Sequence, residues 1–283
     1  MKLRVFDEHG ALNSKPVFAA FKAGMVACSD TLVKDITEAD AVVIWSVLFH
    51  GKMKHNQRIW KQAQNANKPV IVLEVGTLHR EQTWRMGING INKSATWATV
   101  SQDRSSRFNI TLNPWQDNNK KYITVATQHP ASLQWQNMPT MENWIEQTVK
   151  NIRQYSNRPI VIRKHPRDRI TNWRAVQKKY PDIRIDTPVK TGNYDAVNFD
   201  SILSQTHVLV NHCTTPAVDA IIAGVPVVVG DTSMCWDLRT EFADIENPNK
   251  PERTKWLRQL QMTEFYIDEI KQGWPWKSLR ALI

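Results

Sequence analysis

The segment best suited to bind an anion is HVLVNHCTTPAVDAIIAG, residues 207–224. Its apolar run, typical of a buried strand, ends at Asn211, and a polar turn follows. Thr214 or Thr215 can cap a helix there, and Pro216 suits the first helical position. The N–H groups and the positive dipole end of this helix would form a phosphate site at the carboxyl end of the strand. A strand, turn and helix with a purely structural role is the alternative.

A second candidate is the basic segment RKHPR, which directly follows an apolar run predicted to be a strand. Arg163, His165 and Arg167 would leave one strand end together, and Pro166 keeps the backbone extended there. Such cationic side chains are suited to hold a diphosphate. His129 also precedes a proline at the end of a predicted strand, which favours a shared site over a solvated basic turn.

Both candidates need a framework of strands, and the hydrophobic pattern predicts one. Ala41–Trp45 and Pro69–Val75 are apolar runs of the kind that buried parallel strands show, and His207–Asn211 is another. Helical stretches such as Trp173–Lys179 lie between the runs. This alternation is typical of parallel sheets with helices on both faces.

The length of 283 residues favours two α/β domains. Between Gly76 and Asn119 the periodicity is lost and polar residues accumulate, so the domain junction is placed there. The predicted domains are 1–118 and 119–262, and residues 263–283 are predicted to form a terminal helix and tail.

Composition restricts the class of protein. The chain is 41% hydrophobic and 23% charged, which fits neither a disordered chain nor a membrane protein. No run reaches the roughly 18–20 apolar residues that span a bilayer, so we expect a cytoplasmic protein. Three widely spaced cysteines indicate reduced thiols. Lys and Arg exceed Asp and Glu by 37 − 27 = 10, which favours an anionic partner.

Several common catalytic motifs do not occur in the sequence. No GxGxxG follows a strand and no GxxxxGK[ST] is present, which argues against dinucleotide oxidation and P-loop phosphoryl transfer. GxSxG and HExxH do not occur either. Without an Asp-x-Asp pair, no metal site is predicted.

RKHPR, residues 163–167, and NHCTTPAVDAIIAGVPVVV, residues 211–229, together resemble two motifs of bacterial capsule-type and related GT-B sugar transferases. These are the His-Pro motif and a Ser/Thr-rich helix start followed by E/D-A-x-x-x-G-x-P-V. EVGTLHREQTWRMGINGIN, residues 74–92, looks like a segment of phage-encoded relatives. The resemblance covers roughly residues 70–230.

The resemblance implies two Rossmann-like, doubly wound domains that face each other across a cleft, with the C-terminal tail packed back on the first domain. The N-terminal domain would lie on the acceptor side, and the C-terminal domain would bind the donor nucleotide. His165, Thr214 and Thr215 would contact the donor phosphates. Asp219 stands where many relatives have a glutamate that binds the donor ribose, and its shorter side chain departs from that pattern.

Inverting transfer to a hydroxyl also needs a general base. Three carboxylates stand at the ends of predicted strands: Glu74 closes the run PVIVLE, and Asp7 and Glu8 follow the first strand. Each could accept the proton of an acceptor hydroxyl, and each could instead be a cap or a surface charge. Glu74 is the preferred candidate.

The combined interpretation is a glycosyltransferase that moves a sugar from a nucleotide-sugar co-substrate, a UDP-sugar or similar, with no tightly bound cofactor. The phage-like segment, the net charge of +10 and the many Trp and Arg residues favour DNA as acceptor, at a 5-hydroxymethylpyrimidine base. A capsule or surface polysaccharide is the alternative acceptor, and a non-catalytic nucleic-acid-binding protein is the second alternative. The site of action would be the cytoplasm, that of the host cell if the protein is phage-encoded.

Five cationic or aromatic residues are the predicted DNA contacts: Arg80, Trp84, Arg85, Arg104 and Arg107. Arginines neutralise phosphates, and an indole ring is a stacking surface for a base. An ordinary solvated loop is the alternative for each arginine. The sequence indicates neither the sugar nor the oligomeric state.

Overall fold

A computed structural model describes residues 1–189 and 199–283. These residues form two compact α/β units. Unit 1 comprises residues 1–110 and 254–283, and unit 2 comprises residues 111–253. The chain therefore leaves unit 1, builds unit 2, and returns. The predicted boundaries, after residues 118 and 262, lie slightly further along the chain.

Strands and helices alternate through most of the sequence. The elements of residues 1–110 are β1 (Lys2–Val5), α1 (Ser14–Val26), β2 (Thr31–Leu32), β3 (Ala41–Trp45), α2 (Asn56–Asn65), β4 (Val70–Val75), β5 (Thr83–Ile88), β6 (Thr96–Trp97) and α3 (Ser105–Phe108). Those of residues 111–253 are β7 (Tyr122–Ala126), α4 (Met141–Tyr155), β8 (Ile160–Arg163), α5 (Trp173–Lys179), β9 (Arg184–Asp186), α6 (Asp200–Leu203), β10 (Thr206–Asn211), α7 (Pro216–Ile222) and β11 (Val227–Val229).

The last segment of the chain completes unit 1. Its elements are α8 (Thr254–Thr263), β12 (Glu264–Tyr266), α9 (Ile267–Lys271) and α10 (Trp274–Arg280). Short 3-10 helices occur in the loops at Asp7–His9, Gly51–His55, Leu133–Trp135, Trp236–Leu238 and Phe242–Asp244.

The sheet of unit 1 has the strand order β12-β5-β4-β3-β1-β2, with β6 paired to β5. The four strands β2, β1, β3 and β4 are parallel. In contrast, β5 runs antiparallel to β4, β6 and β12. A purely parallel first sheet was expected, and the structure corrects this: the parallel part carries an antiparallel edge.

Strand β5 also corrects the expectation that residues 76–119 have no regular periodicity. All six residues of its sequence TWRMGI are buried. Trp84, Met86 and Ile88 alternate toward the core of unit 1, as one face of a strand requires. Arg85 and Gly87 occupy the other face and interrupt the apolar run. Because an arginine and a glycine interrupt the run, its hydrophobic pattern does not predict a strand.

Helix α1 shows why unit 1 holds together. Val17, Phe18, Phe21 and Met25 form one apolar stripe along the helix, and all four are buried against the sheet. Burying such a side chain contributes about 1.5–3 kcal/mol. The stripe therefore fixes α1 on the face of the sheet that β1, β3 and β5 share.

The C-terminal helices pack on the same face of unit 1. A Cβ atom on Gly24 of α1 would overlap the carbonyl of Ile270 and the backbone of Gly273, so the helices approach closely only because Gly24 has no side chain. The ring of Trp276 packs on the edge of Phe21, with 5.7 Å between centroids. Residues 254–283 are thus an integral part of unit 1.

Unit 2 contains a parallel sheet of order β11-β10-β7-β8-β9. Met141, Ile145, Val149 and Ile152 recur at helical spacing along α4 and are buried against this sheet. The predicted parallel arrangement of this half is confirmed, and α5 has the predicted bounds Trp173–Lys179.

Candidate functional site at the carboxyl edge of unit 2

The carboxyl ends of the central strands of unit 2 lie in one row. The register pairs Ala126 at the end of β7 with Arg163 at the end of β8 and with Asn211 at the end of β10. Asn211 in turn pairs with Val229 at the end of β11. The loops that follow these strands therefore leave the sheet at the same edge.

The connections diverge at the centre of this edge. From β7 the chain passes through α4 to β8 on one side, and from β10 it passes through α7 to β11 on the other side. Adjacent parallel strands whose connections diverge leave a crevice between their carboxyl ends, where α/β sheets bind ligands. In unit 2 this crevice lies between β7 and β10.

Asn211 joins the two loops that border the crevice. Its Nδ2 donates to the carbonyl of Ala126 at 2.9 Å and to Oγ1 of Thr214 at 2.6 Å, while its Oδ1 accepts from the Thr214 N–H at 2.8 Å. Cys213 Sγ lies 3.3 Å from Oε1 of Gln128, which makes a second link between the loops. Asn211, predicted to bind the donor, is buried and connects the two loops; its contact with a donor stays a prediction.

The two His-Pro segments meet at the same edge. The rings of His129 and His165 lie 5.2 Å apart, edge to face. Nδ1 of His129 accepts from the Ala131 N–H at 3.1 Å, and Nδ1 of His165 accepts from the Arg167 N–H at 3.2 Å. An imidazole whose Nδ1 accepts a hydrogen bond carries its proton on Nε2 when neutral. Both rings are thereby oriented with Nε2 as the donor atom.

Thr127 holds the His165 loop against the end of β7. Its Oγ1 accepts from the His165 N–H at 3.0 Å and donates to the Arg163 carbonyl at 3.3 Å. Thr127 is buried, so both hydrogen bonds are largely shielded from water. The sequence argument did not single out this residue.

The basic segment RKHPR does not present four charges together. Arg163 is buried, forms an ion pair with Asp186, and lies over the ring of Phe199 at 4.7 Å. Arg167 is exposed, and Lys164 Nζ lies 5.0 Å from the centre of the Trp173 ring. Arg163 is therefore held at the sheet edge by Asp186, and its role as a phosphate ligand stays a prediction.

The start of α7 also differs from the expected set of free N–H groups. The Ala217 N–H donates to the Thr214 carbonyl at 3.2 Å, and those of Val218 and Asp219 donate to the Thr215 carbonyl at 2.8 and 3.2 Å. These donors are already satisfied within the turn. The half-exposed hydroxyl side chains of Thr214 and Thr215 remain at the crevice, and Asp219 lies half-buried on α7.

Three further residues, Trp135, His212 and Cys213, lie in the loops that follow β7 and β10. The Trp135 ring packs edge to face against His212 at 5.3 Å. Burial lowers the pKa of His212, although a backbone hydrogen bond at Gln134 and the charge of Asp231 oppose the shift. Burial also raises the pKa of the Cys213 thiol to about 11, so this thiol is protonated and is not a nucleophile at neutral pH.

The three predicted bases lie in unit 1. Nζ of Lys22 pairs with Asp7 at 2.6 Å, and Nη2 of Arg4 pairs with Glu8 at 2.7 Å. Burial raises the pKa of Asp7, but the hydrogen bond and charge of Lys22 outweigh it and lower the pKa overall. A lowered pKa makes this carboxylate a weaker base.

Glu74 lies inside β4 and not at its end. Its Oε1 accepts from the N–H of Val75 at 2.9 Å, and its register partner on β5 is Arg85. Arg85 is itself buried, with Nε and Nη1 unpartnered, and its side chain lies 4.9 Å from the Trp97 ring. The preferred base thus stands beside a guanidinium.

Three of the five predicted DNA contacts, Trp84, Arg85 and Arg104, are buried in unit 1, which leaves them little surface to offer a nucleic acid. Arg104 forms an ion pair with Glu269 of α9. Arg107 is exposed, and its Nη2 donates to both carboxylate oxygens of Asp268, at 2.8 and 2.9 Å. Arg80 and Arg107 are the two exposed side chains of the five, and their role stays a prediction.

Glu264 is a buried carboxylate that the sequence argument missed. From β12 it accepts hydrogen bonds from the N–H of Thr77 at 2.7 Å, the N–H of Leu78 at 3.1 Å and the hydroxyl of Thr83 at 2.8 Å. The C-terminal segment thereby fixes the loop after β4. Its donors lie about 180 residues earlier in the chain, so sequence spacing gives no signal for the contact.

Within residues 1–189 and 199–283, no group of three or more His, Cys, Asp or Glu side chains is placed to hold a metal ion. In the same ranges no helix has the length and apolar character needed to cross a bilayer.

Two Rossmann-like units in one chain agree with the GT-B class of fold. No family model and no curated protein matches the sequence. Among solved structures, the β Kdo 2,7 transferase KpsC of Thermosulfurimonas dismutans superposes with a TM-score of 0.52 at 14% identity, covering 97% of this chain and 99% of that chain. The β Kdo 2,4 transferase KpsC of the same organism gives 0.50 at 11% identity, covering 96% and 98%. At these identities the likeness establishes the fold, and the predicted GT-B-like class is confirmed.

Proposed function

We propose that the chain is a glycosyltransferase that binds a nucleotide-sugar donor, a UDP-sugar or similar, at the carboxyl edge of unit 2. The observation that carries the proposal is the meeting of His129 and His165 beside the Asn211–Thr214 turn at the crevice between β7 and β10. Imidazole N–H and hydroxyl groups donate hydrogen bonds to phosphate oxygens. The same groups can also lie against a neutral part of the ligand.

The fold neighbours support the same class of reaction. The two KpsC proteins, which superpose over nearly the whole of this chain, are named as β Kdo transferases. Fold alone does not fix a function, because one architecture hosts many chemistries. The proposal therefore depends on the site, and the likeness adds to it.

The acceptor in this proposal is a hydroxyl of a saccharide and not of DNA. The DNA interpretation required a cationic and aromatic surface, and three of its five residues are buried. The net charge of +10 remains suited to an anionic nucleotide sugar or an acidic glycan.

A mass-spectrometric screen tests donor and acceptor together. The purified chain is incubated with UDP-, GDP-, dTDP- and CMP-sugars, each combined with capsule-type oligosaccharides or with hydroxymethylated DNA. We expect the mass of one sugar to be added to an oligosaccharide. Transfer to hydroxymethylated DNA and not to plain DNA would restore the DNA interpretation. If neither sugar transfer nor hydrolysis of the donor occurred in any combination, the proposed function would be contradicted.

Two variants locate the donor site. His165→Ala removes an imidazole donor, and the Thr214→Ala/Thr215→Ala pair removes two hydroxyls. Each hydrogen bond to a charged group is worth about 1.5–3 kcal/mol, so calorimetry should show donor affinity reduced by roughly tenfold or more. His50→Ala, at an exposed histidine of unit 1, is the control. Unchanged affinity in both site variants, with intact thermal unfolding, would show that the donor binds elsewhere.

A further inference from the structure

The loops that follow β1 and β3 leave the sheet of unit 1 at the same edge. The register pairs Val5 at the end of β1 with Val43 of β3, and the N–H of Phe6 donates to the Val43 carbonyl at 2.9 Å. The two loops then meet, because the rings of His9 and His55 are stacked with 5.0 Å between centroids. One exposed leucine and four exposed cationic side chains of these loops and of the helix starts behind them are together named the basic edge: Leu12, Lys15, Lys52, Lys54 and Arg58.

Leu12 projects into solvent from a closed turn. It is 76% exposed. The N–H and the hydroxyl of Ser14 both donate to the Ala11 carbonyl, at 3.1 and 2.7 Å, so the turn has a fixed shape with Leu12 at its tip. A single exposed leucine is ordinary on a protein surface, so its exposure alone indicates no function. Its meaning depends on the charges at the same edge.

The four cations of the basic edge are not neutralised. In the part of the chain that the structure describes, none of them forms an ion pair with a carboxylate. No Asp or Glu occurs between Asp40 and Glu74, the stretch that contains three of the four. Asp7 and Glu8, the acidic residues of the loop after β1, are each engaged in an ion pair with a cation outside the basic edge. The edge therefore carries a net positive charge.

Two helices begin at the basic edge, and their first turns carry the wrong charge for helix stability. The N-terminal end of a helix is electropositive, so an acidic residue there is stabilising and a cation is not. Neither α1 nor α2 has an acidic residue in its first turn, and Lys15 and Arg58 stand there instead. A local rule that is broken without a gain in stability marks a functional position. The helix ends add to the positive potential of the four side chains.

The basic edge combines an apolar tip with neighbouring cations, which fits a bilayer that contains anionic lipids. At such a surface an apolar side chain enters the boundary between headgroups and acyl chains, while Lys and Arg side chains lie among the anionic headgroups. A soluble polyanion, such as a nucleic acid or an acidic polysaccharide, attracts the same cations but has no hydrocarbon layer for Leu12. We propose that the basic edge docks unit 1 on a membrane surface that contains anionic lipids. The proposal does not depend on the proposed transferase activity.

Sedimentation with vesicles tests the docking on the full chain. Vesicles of phosphatidylcholine alone are compared with vesicles that also contain phosphatidylglycerol. We expect the chain to sediment with the anionic vesicles and to stay in solution with the neutral ones, because each cation near an anionic surface increases partitioning by about fivefold. Added salt should release the chain, since it screens the attraction between exposed charges.

A charge variant tests the cationic part of the basic edge. Lys52→Ala/Lys54→Ala should lower the partition coefficient on anionic vesicles by roughly 25-fold, about fivefold for each cation. Its control is Arg174→Ala/Lys178→Ala, which removes two exposed cations from α5 of unit 2. Both variants change the net charge equally, so a loss confined to the first reports the position of the charges. The control should partition nearly as the wild type does.

An apolar variant distinguishes a lipid surface from a soluble polyanion. Leu12→Ser should lower partitioning by roughly tenfold, because burying a leucine side chain in an apolar layer contributes that factor or more. Leu282→Ser is the matched control. Leu282 is 58% exposed and follows Arg280, which pairs with Asp30 just before β2, so it lies at the opposite end of the sheet. Thermal unfolding checks that each variant is folded.

Three results would overturn the proposal. The first is a wild-type chain that does not bind anionic vesicles or binds neutral ones equally well, and the second is an equal loss in the variants and their controls. The third is a loss in Lys52→Ala/Lys54→Ala without one in Leu12→Ser, with dextran sulfate competing for the wild type. This last result would assign the basic edge to a soluble polyanion.

Hydrogen exchange on the wild-type chain covers the case in which a variant fails to fold. Anionic vesicles should slow the exchange of backbone amides in residues 10–16 and 50–58, the two segments that contain the basic edge. Residues 172–180 of unit 2, which contain the charge control, should exchange at the same rate with and without vesicles. Unchanged exchange in both segments of unit 1 while the chain is bound to vesicles would show that another surface docks.

Discussion

Replacing Thr127 by valine separates the support of the donor site from the stability of unit 2. Valine has nearly the same shape as threonine but has no hydroxyl. The change removes the acceptor of the His165 N–H at 3.0 Å and the donor to the Arg163 carbonyl at 3.3 Å. Packing at the end of β7 is preserved, while the loop that carries His165 loses its hydrogen bond to residue 127.

The size of the effect follows from these two hydrogen bonds. Leaving a shielded N–H without an acceptor costs about 1–3 kcal/mol, so unit 2 should lose stability by that amount. Displacing the imidazole of His165 removes a hydrogen bond to a charged phosphate, worth about 1.5 kcal/mol or more, which is roughly tenfold in Kd. The donor Kd should rise at least that much.

Thr124→Val is the matched control. Thr124 lies three residues earlier on β7, about 10 Å along the strand. It is equally buried, and its hydroxyl bonds that of Thr206 at 2.7 Å. Thr206 keeps its hydrogen bond to the Ile202 carbonyl, so we expect a loss of stability of about 0.5–1.5 kcal/mol and no change in donor affinity.

Urea unfolding measures stability in both variants, and calorimetry with the donor from the screen measures affinity. The reasoning is refuted if Thr127→Val binds donor as tightly as the wild type, or if Thr124→Val weakens binding by the same factor. In the first case the His165 loop does not hold the donor. In the second case donor binding reports only on the general stability of the unit.

Two further predictions concern stability. Gly224 has φ = +81°, and a Cβ atom there would overlap the Pro114 carbonyl, so Gly224→Ala should lower the free energy of unfolding by about 1–3 kcal/mol in urea titrations. For Asp30, burial raises the pKa, but hydrogen bonds from the N-terminal amine and Trp276 outweigh it, and the pKa is lowered overall. Its ionised form is therefore favoured by folding: the stabilisation is complete above the unfolded pKa, about 3.9, and is lost as the pH falls through the lower folded pKa. Between pH 6 and pH 2 the wild type should lose more stability than Asp30→Asn, and parallel urea midpoints would contradict this.

The parts of the fold that the sequence predicts well are those in which local pattern and tertiary environment agree. β3 has the predicted bounds Ala41–Trp45, because a run of five apolar residues suits a strand buried on both faces. β5 was missed because Arg85 lies within it, and an arginine is rarely buried. Burial of Arg104 depends on Glu269, which follows 165 residues later. No local pattern carries that information.

The candidate site also has parts that the sequence predicts and parts that it does not. The sequence placed His129, His165 and Asn211 at strand ends, and the register brings those strand ends into one row. It could not show that Arg163 is neutralised by Asp186, because that pairing depends on which strand lies beside β8.

The discontinuous composition of unit 1 sets an order on its assembly during synthesis. All of unit 2 leaves the ribosome before residues 254–283, so it can fold while unit 1 is still incomplete. Until β12 arrives, the Thr83–Arg85 part of β5 is an unpaired edge, and Arg104 has no carboxylate to neutralise it. A chain that stopped after unit 2 would therefore have one folded unit and one sheet edge that is prone to aggregation. Residues 254–283 are thus required before unit 1 can fold completely.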